Sequence, residues 1–126
     1  MARYRRFMFR RGKMKEYQIR MEGYRLPEEV YHQCLWIVRD MERSIGLFAS
    51  FMAGDRGELP LQVSSAGHRI CAVSRALEMV PVEYRQGIID SILKRGGGFR
   101  DYAHENTWKR WKQRFIYGVA VEMGLV

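Results

Sequence analysis

Four cations and four aromatic rings share ten consecutive residues of this chain. Lys109, Arg110, Lys112 and Arg114 are interleaved with Trp108, Trp111, Phe115 and Tyr117. These side-chain types suit a polyanion. A guanidinium fork pairs bidentately with phosphate or with a guanine edge, a glutamine such as Gln113 matches adenine, and flexible lysines reach phosphates. Asn106 and Thr107 precede the run and are helix-capping types. The free N–H groups of such a first turn also suit a phosphate. Val119, Ala120 and Met123 then continue the segment as an apolar one.

At about 100° per residue, Trp108, Trp111, Phe115 and Val119 fall on one stripe, with Ile116 and Met123 beside it. Asn106, Arg110, Gln113, Arg114, Tyr117 and Val121 fall opposite. The expectation is a helix anchored by its aromatic side, with Arg110, Gln113 and Arg114 facing a partner. Lys109 and Lys112 lie nearer the apolar edge, from which their stems can snorkel to phosphates.

Charge distribution agrees with that reading. The chain carries +8 overall. Residues 1–25 hold nine Lys/Arg against two Glu, and residues 94–114 hold seven against two acids. Residues 26–93 are net −3. Two concentrated basic blocks favour nucleic acid as a partner.

Other chemistries have little support. His32, His68 and His104 have no ligand-like spacing, so no metal or other cofactor is expected. Cys34 and Cys71 stand alone in apolar helical patterns and read as small buried hydrophobes of a reducing cytoplasm. No nucleophile–base–orienter set is evident, and no Lys-Ser/Thr follows Gly96-Gly97-Gly98, so an enzyme is not expected. The basic start precedes no apolar signal core, and no window approaches the ~20 apolar residues of a membrane span.

The elements that must hold the basic helix read as all-α. Residues 1–13 suit a loosely held basic arm, and translation from Met14 is an alternative start. Tyr17, Ile19 and Met21 alternate with polar residues but have no partner strand, so they read as loop. Leu26-Pro27-Glu28-Glu29 opens a helix. Val30, Cys34, Ile37, Met41, Ile45, Phe48 and Met52 then form a heptad-like stripe, which predicts one long helix and a possible homodimer seam. Ala53 to Pro60 breaks it as a hinge. Ser64 or Ser65 is expected to cap the next helix, which carries Ile70, Val73, Leu77 and Val80. A third helix from about Val82 to Lys94 buries Tyr84, Ile88 and Ile92 and ends at the triple glycine.

Two stretches resemble a known family. Val80-Pro81-Val82-Glu83-Tyr84-Arg85, Tyr102-Ala103 and the run from Thr107 through Tyr117 to Leu125 resemble phage transcriptional activators of the RinA/ArpU type, which are similar to sigma factor region four. The segment from Leu26 to Asp40 resembles the N-terminal helix of proteins from Firmicutes mobile elements. The resemblance implies a first helix at Pro81–Lys94, a short second helix within Phe99–Ala103, and a recognition helix from Thr107 to Met123. It also implies contact with RNA polymerase.

The expected organisation is a basic arm at 1–25, a long helix and hinge loop at 26–63, and a sigma-region-four-like helical DNA-binding unit at 64–126. The expected function is a cytoplasmic, sequence-specific helix-turn-helix regulator of phage or mobile-element genes in a bacterial host. It would bind double-stranded DNA through Asn106, Thr107, Lys109, Arg110, Lys112, Gln113, Arg114 and Tyr117. The alternative is a DNA-binding assembly or packaging protein, small-terminase-like, that oligomerises through the long helix.

Overall fold

All three prolines of the chain stand immediately before a helix. Pro27, Pro60 and Pro81 have ψ of 145°, 152° and 141°, extended backbone from which the chain enters the helical region. A proline costs nothing here, because the N–H it lacks has no acceptor in a first turn. Pro60 therefore opens a helix at Leu61, a full turn before the expected serine caps.

The computed structural model describes residues 17–54, 57–96, 99 and 103–126. The expected arm at 1–13, the start at Met14 and most of the short helix expected at Phe99–Ala103 lie outside these residues. Among the described residues the fold is all-α, with five helices and no strand. They are α1 (Glu28–Arg39), α2 (Met41–Ala53), α3 (Leu61–Glu78), α4 (Val82–Leu93) and α5 (Glu105–Glu122). Residues 17–27 form an irregular strap ahead of α1, with a turn at 22–23.

The expected single long helix is two helices. Asp40 interrupts it with φ −91° and ψ 8°. The Asp40 carboxylate does not cap α2; it accepts two hydrogen bonds from the Arg43 guanidinium at 2.9 and 2.8 Å. Those bonds hold its carboxyl below the usual carboxylate range. The apolar stripe divides at the break. Cys34 and Ile37 are buried, whereas Ile45 and Met52 are exposed.

One core gathers α1, α4, α5 and the second half of α3. It contains Tyr31, Cys34 and Leu35 from α1, Val73 and Ala76 from α3, Ile88 and Ile92 from α4, and Trp108, Phe115, Ile116 and Val119 from α5. Each such large apolar side chain contributes roughly 1.5–3 kcal/mol by leaving water. Trp108 is the largest fully buried side chain; Tyr84 meets it edge-on at 4.8 Å and Phe99 stacks on it at 5.2 Å.

The seam between α3 and α5 is close. A Cβ placed on Gly118 would lie 3.1 Å from the Ala76 Cβ, so the two helices touch almost backbone to backbone. The ion pair Arg75–Glu122, at 3.6 Å, spans the same seam.

Helices α2 and α3 form an antiparallel hairpin. Arg69 Nε donates to Ser44 Oγ at 3.1 Å, and Phe48 packs where Gly67 has no side chain. Val63 and Ala66 are buried in this hairpin, outside the main core.

Candidate nucleic-acid interface

The basic segment is one continuous helix of 18 residues, Glu105–Glu122. Its cap is His104 rather than Asn106 or Thr107. The His104 Nδ1 accepts the Asn106 N–H at 3.0 Å, and the His104 carbonyl accepts the Thr107 N–H at 3.0 Å. The backbone of the two expected capping residues thus lies inside the first turn, and the Asn106 side chain is exposed. An imidazole nitrogen replaces the carboxylate, amide or hydroxyl oxygen that usually fills this position.

The aromatic side is anchored as expected. Trp108, Phe115, Ile116 and Val119 are buried, and Trp111 is half-buried, stacked against Tyr84 at 6.2 Å.

The eight expected contact residues do not form one face. Arg110 and Arg114 are exposed one turn apart, with Asn106 a turn before them. Arg110 has no hydrogen-bond or ion-pair partner among the described residues. Lys109 and Lys112 stand on the other flank, beside a cleft of about 320 Å³ that Tyr17 and Glu105 also line. There Lys109 pairs with Glu105 at 3.1 Å, and Lys112 donates to the buried Ser91 Oγ at 2.9 Å. Thr107 is half-buried.

Gln113 does not face outward. It is 2% exposed, and its amide nitrogen donates to Gln18 Oε1 at 3.0 Å and to the Tyr24 carbonyl at 2.8 Å. Gln18 in turn bonds both the N–H and the carbonyl of Leu26, at 2.9 and 2.8 Å, and donates to Glu28 at 2.9 Å. The strap is thereby fastened along α5. Tyr117 is covered on the same side, edge-on to Tyr24 at 5.3 Å.

The strap also fixes Arg114. The guanidinium carbon lies 5.0 Å from the Tyr24 ring centre and 4.7 Å from that of Trp111, both within cation–π range. A guanidinium held by rings keeps its N–H edge available for an acceptor. Sequence reasoning missed Tyr24; Arg20 and Arg25, counted there only within the basic arm, are exposed on the strap. The one available signal was the basic, aromatic composition of residues 17–25.

The eleven residues 94–104 separate α4 from α5. Arg95 and Gly96 open this link with φ of 60° and 124°, a left-handed exit from the helix end.

Among the described residues, no cluster of three His, Cys, Asp or Glu side chains is placed to hold a metal ion. No described helix is long and apolar enough to cross a membrane. No family model, curated protein or solved structure matches this chain.

Proposed function

We propose that this chain binds double-stranded DNA through α5. The observation that supports this most is the exposed Arg110–Arg114 pair on a helix whose opposite side is locked into the core. A rigid helix offering two planar forks meets the need of groove recognition for donors held in fixed positions. The basic residues 1–25 would add phosphate contacts of no sequence preference.

In this reading the protein is a transcription regulator of a phage or mobile element, similar to the RinA/ArpU activators and to sigma region four, working in a bacterial cytoplasm. The residue resemblance supports that role, and contact with host RNA polymerase follows from it. A pull-down with host polymerase tests the polymerase contact.

Fluorescence anisotropy on selected genomic fragments tests DNA binding. If about six phosphates are neutralised, the slope of log affinity against log salt is near −5. Arg110→Ala and Arg114→Ala each lose roughly 1–3 kcal/mol of affinity and relax specificity if each reads a base. Wild-type binding by both variants would place the interface elsewhere.

A packaging or assembly role is the second reading. It draws on α2, whose apolar residues are largely left outside the core. Recurrence of one motif among the selected fragments favours the regulator; ring-sized particles in light scattering favour assembly.

A further inference from the structure

We infer that the α2–α3 hairpin is the seat of a second copy of this chain, two hairpins closing into a four-helix bundle. This does not rest on the DNA reading. Of the 13 residues of α2, only Ser44 is buried, although the helix carries Ile45, Leu47, Phe48, Phe51 and Met52. Ile45 and Met52 are about half exposed (51% and 48%), and Leu61, at the start of α3, is 79% exposed. The helix packs chiefly on α3 and makes few contacts with α1, so the outer side of the hairpin is left without a covering layer. A pair of amphipathic helices buries its stripe only against a second layer, and two like pairs supply it mutually.

Charge selects the occupant. In a chain of net +8, the stretch from Ser44 to Gly67 contains three charged residues, Asp55, Arg56 and Glu58, all in the sequence between the two helices. Two copies repel over most of their surfaces, and this neutral face is where they meet without opposing like charges. An acidic partner would find one cation in that stretch, Arg56, set in the sequence among the acids Asp55 and Glu58. The small residues Gly46, Ala49 and Ala53 on α2 let a facing helix approach closely.

The area is adequate. Two helices of about 13 residues present a face of roughly 20 by 20 Å. Side-chain relief raises that, and a groove of about 310 Å³, lined also by Arg39 and Glu42, extends it from Ile45 and Met41 to Ile89 and Leu93. The flat face alone is about 400 Å², half of the ~800 Å² per partner of an ordinary stable interface, and the relief and the groove add to it.

Light scattering on the full chain is the test. The expected mass is twice 14.9 kDa at micromolar concentration. The double variant Ile45→Glu/Met52→Glu is expected to run as a monomer with unchanged far-UV circular dichroism, because both side chains are exposed within one copy. Val82→Glu, at an exposed site on α4 away from the hairpin, is expected to stay dimeric. A wild-type monomer at about 100 µM, a dimeric double variant or a ring-sized particle each overturns the inference. The monomeric double variant is still expected to bind a short duplex, so loss of dimer and loss of DNA binding are read separately.

Discussion

The Gln113 amide donates to the Tyr24 carbonyl at 2.8 Å across 89 residues of sequence. With Gln18, it ties the strap to the middle of α5 through groups withdrawn from water. Removing it leaves the Tyr24 carbonyl short of a donor and Gln18 Oε1 with only the Leu26 N–H. Gln113→Ala is therefore expected to destabilise the fold by about 1–3 kcal/mol in chemical denaturation. Base preference in a selection experiment is expected to stay as in wild type. A stable Gln113→Ala protein with altered adenine preference would restore the outward-facing role.

Tyr24 has a different consequence. Its ring and Trp111 flank the Arg114 guanidinium. Tyr24→Leu keeps bulk and removes the π face, for which exposed cation–π contacts suggest a cost of ~0.5–1 kcal/mol. DNA affinity is expected to fall about threefold with an unchanged salt slope, because no charge is lost. Equal affinity in anisotropy titrations would show that the ring does not position the arginine.

Trp108 tests the anchor. It is fully buried between Tyr84 and Phe99. Trp108→Ala is expected to cost roughly 3–5 kcal/mol, a large part of the stability of a domain this size. Thermal melts read this directly; a loss under 1 kcal/mol would mean that α5 is held chiefly by other residues.

The two cysteines are expected to react unequally. Cys34 is buried, and burial pushes its thiol up to about 12, whereas Cys71, expected from the sequence to be buried as well, is exposed. In native protein at pH 8, a thiol reagent is expected to modify Cys71 and spare Cys34. The same shift has a stability sign. The buried thiol stays protonated while the unfolded one ionises near its ordinary 9.0. Its contribution is therefore complete below pH 9 and declines as pH rises from there toward 12. A Cys34→Ser protein whose stability falls equally over that range would remove Cys34 as the cause.

Sequence periodicity revealed the anchoring side of α5, because Trp108, Phe115 and Val119 recur at helical spacing and burial follows spacing. It did not reveal the fate of Gln113. A helical wheel places Gln113 beside Arg110 but contains nothing about a strap arriving from residue 18. The break at Asp40 was hidden for a related reason. The stripe runs unbroken through Ile37, Met41 and Ile45, and apolar spacing is indifferent to one residue's ψ. The prolines were legible at Pro27 and Pro81, where glutamates follow in the first turn. At Pro60 the preceding glycines suggested only a loop. The His104 cap escaped because an imidazole fills a place that oxygen-bearing side chains usually take.

The contact of Gly118 with Ala76 bears on everything that α5 displays. One methyl group is all that separates the two main chains at their crossing. Their mutual tilt thus has almost no slack to absorb. The aim of Arg110 and Arg114 is inherited from that pivot, and a bulkier residue at either position would swing both arginines together.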